Sequence, residues 1–456
     1  MTKIVINNED RNNYGIVYTP NNLINNILNL IPNHFFSDPN LKWLDIGAGT
    51  GCFSINLYNR LYNELSSNII DNIERKKHII ENMLYMVEIY PPHITILEEH
   101  FTKKANIINM DFLAFNIENY CKTKFDFVIG NPPYNINGQL KTPTNKKIKK
   151  TDDGKQIYVE FIKKSLEILK PNGYLNIIIP SLWLKPDKSG LYNILTNKKI
   201  HKLVCLSTNE TQKAFNYKAQ TPTCYFLIEN MNKSTSNFNI FDNFNYKFIN
   251  YNLYSNYPIP TNGINIINNL LFYVNNVGYL KIYKSSTPSK YSIFENDGEN
   301  YKYKNIKTTL LSNNIPNLVI NYSNIIQQYY NKPKLILANK MYGFPYYDIS
   351  GIYGISSRDN YIILEEDYSK NELEIIQSFL STKTALFIFS TTNYRMRYLE
   401  KYAFQFIPNI SKIIDFPNLL NKKTNEKDEL LANFFGFSQI ERETIQNNFK
   451  DYNFFI

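Results

Sequence analysis

LDIGAGTG, residues 44–51, closes a short apolar run that begins at Leu41 and leads into an amphipathic stretch. Glycines at alternate positions, Gly47, Gly49 and Gly51, let a strand turn tightly into a helix and bring backbone close to a ligand. A plain strand-to-helix turn with no ligand is the alternative. The pattern around it repeats. Apolar runs at 41–47, 84–90, 105–111, 125–131, 174–180, 200–207 and 221–229 read as strands, and helical periodicity fits 20–31, 53–65, 92–102 and 156–170. Strands that alternate with crossover helices predict an α/β fold on a doubly wound, seven-stranded sheet. Residues 66–83 lengthen the first crossover and read as an added helix.

At 456 residues the chain exceeds what one core normally organises, so two domains are expected, 1–230 and 231–456. Beyond 230 the alternation fades into Tyr- and Asn-rich segments with short strand candidates, then helical stretches at 371–390 and 424–448, which predicts a C-terminal α+β domain. Hydrophobic residues at 43% and aromatics at 15% exclude a disordered chain, and the net charge of +10 suits a polyanionic partner. Cys52, Cys121, Cys205 and Cys224 have neither zinc nor disulfide-framework spacing. The histidines, His34, His78, His93, His100 and His201, show no metal spacing and read as surface or packing residues, so no metal is expected. The N-terminus lacks an apolar signal core and no run of about 18 apolar residues occurs. A soluble, intracellular, cytoplasmic protein with no membrane association is expected.

The chemistry is carried by FDFVIGNPPY, residues 125–134, at the end of the fourth strand. Two prolines remove two backbone donors and set the turn, which leaves the Asn131 side-chain oxygen and the Pro132 carbonyl as acceptors for one NH2 group. Tyr134 can stack on a planar acceptor, and Pro133 completes the turn. A plain Pro-Pro turn is the alternative, and it weakens once the glycine turn stands upstream in the right order. Glu88, at the end of the second strand, can accept both hydroxyls of a ribose or be a solvated loop residue. Asp111 and Phe112 follow the third strand, where a carboxylate can accept from an adenine amino group and an apolar neighbour can pack on its ring.

The D-x-G-x-G-x-G form starting at Asp45 resembles motif I of class I S-adenosylmethionine-dependent methyltransferases. With NPPY it resembles the gamma-like DNA adenine-N6 methyltransferases of type II restriction-modification systems, over about the first 230 residues. That resemblance implies a Rossmann-like methyltransferase sheet with S-adenosyl-L-methionine as cofactor. GIVYTP (15–20) looks like the family's segment over the cofactor methionine. Thr19 and Pro20 would then contact the methionyl end, Asp45 and Gly47 its amino group, Glu88 the ribose and Asp111 the adenine, with Gly49, Gly51, Phe112 and Asn131 completing the pocket. Asn131, Pro132 and Tyr134 would hold a base flipped out of the duplex. Phe215, after the sixth strand, is the candidate for the family's aromatic against that base; a core phenylalanine is the alternative. Two departures stand out: the insert at 66–83 pushes Glu88 unusually far from the glycines, and Tyr90 occupies a place where the family often has a second acidic residue.

The loop KTPTNKKIKK (141–150) carries Lys141, Lys146, Lys147, Lys149 and Lys150, either to grip phosphates around the base or as a solvated loop. Glutamine methyltransferases of release factors and some RNA adenine methyltransferases share the NPPY chemistry, so both remain alternatives, as does an inactive DNA-binding relic. Glutamine enzymes usually place a helical domain before the glycine motif, whereas here the extra domain follows it. The resemblance therefore implies a C-terminal target-recognition domain, with Lys340, Arg358, Arg395 and Arg397 as possible contacts to DNA or as ordinary surface charges. Double-stranded DNA is the expected partner, the protein is expected to be a monomer, and a cognate restriction endonuclease encoded separately is an expected companion.

Overall fold

In the computed structural model Trp43–Asp45 form β1, and all three residues are buried. The structure describes residues 17–135, 156–217, 219, 221–232, 237–286, 293–296, 298–340, 344–395 and 398–455. Two compact units meet in sequence between Phe241 and Asp242. In chain order the first contains α1 (Asn21–Leu28), β1, α2 (Cys52–Glu64), α3 (Asn72–His78), β2 (Leu84–Glu88), α4 (Pro91–Phe101), β3 (Asn106–Asn109) and β4 (Phe125–Gly130). There follow α5 (Tyr158–Ile168), β5 (Leu169–Pro180), α6 (Leu191–Thr196), β6 (Lys198–Leu206), α7 (Thr208–Ala214), β7 (Thr223–Asn232) and β8 (Asn237–Asp242).

Within this unit the strands run in the order β3-β2-β1-β4-β5-β7-β6-β8. Chain order proceeds outward from β1 to β3, then returns to place β4 on the other flank of β1, so the strand order reverses between β1 and β4. Neighbours from β3 to β5 are parallel, whereas β7 runs antiparallel to both β5 and β6. Each of the seven expected apolar runs contributes a strand. The sheet also continues past residue 230 with β8, which pairs parallel to β6.

Local chemistry explains the boundaries. Helix α5 stops at Ile168 rather than 170 because Pro171 disfavours a helical conformation in the residue before it; Asn172 then takes φ 63° and β5 begins irregularly against β4. The insert forms α3, capped by the Asp71 carboxylate accepting from Ile73 N (2.9 Å) and Glu74 N (2.7 Å), and ends in a single π turn, Ile79–Met83. An aromatic ladder crosses the sheet where the order reverses. Trp43 and Phe127 are register partners on β1 and β4 and stack at 3.9 Å, Phe127 stacks on its β5 partner Tyr174 at 5.1 Å, and Phe36 covers Trp43 at 5.3 Å.

The second unit is α+β. Its elements are β9 (Lys247–Asn252), α8 (Ile264–Val277), β10 (Tyr283–Lys284), β11 (Ile293–Phe294), β12 (Tyr303–Ser312), β13 (Ile315–Ser323), β14 (Lys334–Ala338), β15 (Tyr346–Asp348), β16 (Gly354–Ile355) and β17 (Asn360–Leu364). Four helices follow, α9 (Lys370–Leu380), α10 (Lys383–Ser390), α11 (Thr424–Phe434) and α12 (Gln439–Asn448). Two four-stranded sheets run β10-β17-β14-β15 and β11-β13-β12-β16, sharing a core of Ile306, Ile336, Ile355, Ile362 and Leu364. The two long helical stretches expected from periodicity each break in two. Thr382 caps α10, accepting from Ala385 N (3.1 Å), and Gly436 (φ 70°) precedes the Ser438 cap of α12. Among the described residues no helix is long and apolar enough to cross a membrane.

Both tryptophans of the chain, Trp43 and Trp183, lie in the first unit, so their fluorescence reports its unfolding selectively. Removing the central ring of the ladder by Phe127→Ala is expected to cost about 3–5 kcal/mol, measured as a lowered midpoint of the tryptophan transition in urea.

Candidate active site

Parallel pairing sets Asp45 of β1 opposite Ile129 of β4, so the turns that follow the two strands leave side by side. Ile46 N–H donates to Ile129 O (3.2 Å) and Ala48 N–H to Val87 O (3.0 Å), which ties the glycine turn to both flanking strands. Gly49 has φ +57° and nothing within 4 Å of where a Cβ would stand, an open backbone surface of the kind that lets a ligand approach. Gly130 has φ +135°, and a Cβ there would meet Asp45 Oδ1 at 3.1 Å and Ile46 Cγ1 at 3.3 Å. Only glycine brings the two turns this close.

Asp45 is fully buried. Its carboxylate accepts from Ser54 Oγ (2.8 Å), on the first turn of α2, and from Gly47 N (3.4 Å). Glu88 is also buried, at the end of β2; Oε2 accepts from Gly49 N (2.7 Å) and Oε1 from Tyr90 N (2.8 Å). Two carboxylates thus flank one glycine turn from either side. Asp111 is exposed beyond β3, with one oxygen accepting from Leu113 N (2.9 Å). Phe112 next to it is buried against Phe161 at 5.1 Å and Phe115 at 6.3 Å.

Across the turn from Gly47, the Asn131 amide is held by one bond, Nδ2–H to Thr19 Oγ1 (3.1 Å). That bond spends the amide's donor end on Thr19 and leaves Oδ1 buried with no donor among the described residues. A buried carbonyl-type oxygen without a partner is costly unless a ligand satisfies it. Pro132 is buried and Pro133 half-buried. The Tyr134 hydroxyl is likewise buried and unpartnered; its ring meets Tyr158 edge-on at 6.4 Å, and burial pushes its phenol well above the usual range, so it stays neutral.

Thr19, Pro20, Asp45, Gly47, Gly49, Gly51, Glu88, Asn131, Pro132, Pro133 and Tyr134 come together around the ends of β1, β2 and β4 or in the segment before α1. Phe215 does not join them. It follows α7 and is 1% exposed inside the hydrophobic core, so here it has the packing role that was its alternative reading, presenting no free face to a base. Lys141, Lys146, Lys147, Lys149 and Lys150 lie outside the described residues, as do residues 15 and 16 and Arg397.

Sequence reasoning passed over Ser54 and His93. Ser54 carries no pattern signal beyond its place one turn into the helix after the glycines. His93 is not a packing residue alone: it is 1% exposed, and its ring lies between the Tyr18 hydroxyl (Nε2 to Oη 3.3 Å) and Glu88 (Nδ1 to Oε1 3.6 Å). Its one legible signal is its position five residues past a strand-end carboxylate.

In the second unit, Asn339 N–H donates to Asp359 O (2.8 Å), Leu399 N–H to Asn339 O (2.5 Å), and Lys340 bridges Tyr398. Three segments distant in sequence therefore run side by side. Lys340, Arg358 and Arg395 sit on or next to them, all exposed and none in an ion pair among the described residues.

Residues 27–215 match the family described as Eco57I restriction-modification methylase. The type II methyltransferase M.BstVI of Geobacillus stearothermophilus is 30% identical over 251 residues, 48% of this chain and 43% of that protein. The type II restriction enzyme and methyltransferase RM.Eco57I of Escherichia coli is 31% identical over 145 residues, 30% of this chain and 14% of that one. The chain therefore spans less than half the length of either relative. The solved type IIL restriction-modification enzyme MmeI, in complex with DNA, has a similar fold over 95% of this chain and 72% of its own, with 12% identity and a TM-score of 0.53.

Asp45 makes the site pH-sensitive in a defined direction. Burial, with a smaller contribution from Glu88, pushes its carboxyl from 3.8 up to about 7, against the Ser54 and Gly47 hydrogen bonds that favour the charged form. A raised folded-state value means that protonation stabilises the fold: this contribution is complete below the unfolded value of 3.8 and is lost as pH rises through about 7. Asp45→Asn, which cannot ionise, is expected to flatten the fall in first-unit stability between about pH 4 and pH 7, measured by tryptophan fluorescence in urea at each pH.

Proposed function

We propose, on the premise that residues 27–215 form a methylase module of the Eco57I restriction-modification family, that this chain methylates the exocyclic N6 of adenine in double-stranded DNA. S-adenosyl-L-methionine supplies the methyl group when bound, as an electrophile on a sulfonium. The open glycine turn between two buried carboxylates fits that cofactor. On this reading Asp45 and Gly47 hold the methionyl amino group, Thr19 and Pro20 close over that end, Glu88 takes the ribose and Asp111 the adenine amino group.

The observation that carries the proposal is the buried Asn131 Oδ1, which has no donor among the described residues. An NH2 group offers two hydrogens. One bonds to Asn131 Oδ1 and the other to the Pro132 carbonyl, which turns the nitrogen lone pair toward the methyl group and stabilises the positive charge that grows on nitrogen. Positioning does the work, and no covalent nucleophile is needed. Thr19 holds the amide in the orientation that presents oxygen, and Tyr134 offers a ring to the base. A duplex base must leave the stack to reach this point.

The second unit is read as the target-recognition domain. Three exposed cations on adjacent segments, in no ion pair among the described residues, a net charge of +10, and the fold likeness to an enzyme solved with DNA support this. Action as a monomer beside a separately encoded restriction endonuclease completes the reading.

Labelled S-adenosylmethionine offered with DNA, RNA or a release factor, followed by mapping of the product, tests the substrate. Label at adenine N6 in DNA is expected; label in RNA or protein alone would overturn the proposal. Asn131→Ala should lower turnover at least about a hundredfold while leaving cofactor affinity within about threefold, read by single-turnover kinetics and calorimetry. Replacing Lys340, Arg358 and Arg395 together with Ala should weaken DNA binding and reduce the slope of log K against log salt by up to about 3, read by titration at several ionic strengths.

A further inference from the structure

His93 stands on the first turn of α4, 1% exposed, with each ring nitrogen aimed at one group. Nε2 is 3.3 Å from the Tyr18 hydroxyl, and Nδ1 is 3.6 Å from Glu88 Oε1, with no hydrogen-bond partner among the described residues. The ring also meets Tyr90 edge-on at 4.9 Å, which limits its rotation. Glu88 in turn accepts from the amide of Gly49 in the glycine turn. The Tyr18 hydroxyl keeps its proton, since burial, followed by Cys52, Glu88 and Tyr90, pushes it up to about 12.

These donors and acceptors assign one arrangement. A carboxylate oxygen accepts, so Nδ1 is the nitrogen placed to donate toward Glu88, and the Tyr18 hydroxyl then donates to Nε2. We propose that His93 is a positioning residue for the cofactor, a bridge that ties the Tyr18-Thr19 segment to Glu88 and through it to the glycine turn. Tyr18 is adjacent to Thr19, and Thr19 holds the Asn131 amide, so the bridge links the ribose carboxylate to the group that orients the acceptor. Two backbone amides, of Gly49 and Tyr90, fix the Glu88 carboxylate plane, and the imidazole lies against its Oε1 edge at 3.6 Å.

This inference rests on the reading of Glu88 as the ribose-binding carboxylate, and its test separates the two. The full chain is titrated calorimetrically with S-adenosylhomocysteine and with its 2′-deoxy analogue. Wild type should bind the first and discriminate against the second. His93→Phe, which keeps the ring but not its hydrogen bonds, should weaken S-adenosylhomocysteine at least about tenfold and shrink the discrimination between the two ligands. His93→Asn, which returns an N–H near the position of Nδ1, should recover most of the loss, and Tyr18→Phe should weaken binding by about threefold. Failure of wild type to bind, or to distinguish the ligands, would overturn the reading of Glu88. Normal affinity and discrimination in His93→Phe would overturn the bridge with that reading intact. If His93→Phe melts early, His93→Asn and Tyr18→Phe decide: loss of discrimination in His93→Asn, or unchanged affinity in Tyr18→Phe, overturns the bridge.

Discussion

The parallel pairing of β1 with β4 is the constraint from which the site follows. These strands are far apart in sequence, yet their register sets Asp45 beside Ile129 and makes two separate turns leave the sheet at one place. The strand order reverses at that point, the place at which open α/β sheets bind ligands. The stacked rings of Trp43, Phe127 and Tyr174 hold the register, because a slip of one residue would turn every ring to the opposite face. Gly130 is the local requirement for this approach, since its φ of +135° is one that side chains rarely adopt and a Cβ there would crowd Asp45 Oδ1 at 3.1 Å.

Around this junction the protein buries charge and polar groups and satisfies them unequally. Asp45 and Glu88 are bonded to the turn they flank, which pre-forms its shape. Among the described residues, Asn131 Oδ1 and the Tyr134 hydroxyl are left without partners. Burial without compensation is unfavourable for the fold and useful for binding, because a ligand that supplies the missing partners recovers the desolvation already incurred. The bonded groups are thus scaffold, and the unbonded ones are where, on the proposed function, an acceptor's NH2 group would gain most.

Much of the fold was legible in sequence because its signals are local. Apolar runs bounded by turn residues marked seven strands, and glycines and prolines marked the two turns that matter. The missed features are those that local patterns cannot carry. Strand β8 lay past the point where alternation faded, and the two C-terminal helical stretches concealed breaks set by caps at Thr382 and Ser438. Phe215 sat at a position that suggested a base contact, but burial depends on what packs over a residue, and its neighbours come from other strands.

What the sequence by itself determined is the chemistry on offer: a glycine turn after Asp45, a carboxylate at Glu88, and an amide oxygen at Asn131 ahead of two prolines. Residue type and spacing suffice for that, since each motif is confined to a few consecutive residues. Tertiary structure alone decided which of these groups are satisfied and which are left waiting. The bonds from Asn131 to Thr19, from Gly49 to Glu88 and from Tyr18 to His93 join residues 39 to 112 positions apart. Such pairings depend on how strands register and on what water is excluded, and neither quantity is written in any one segment of the chain.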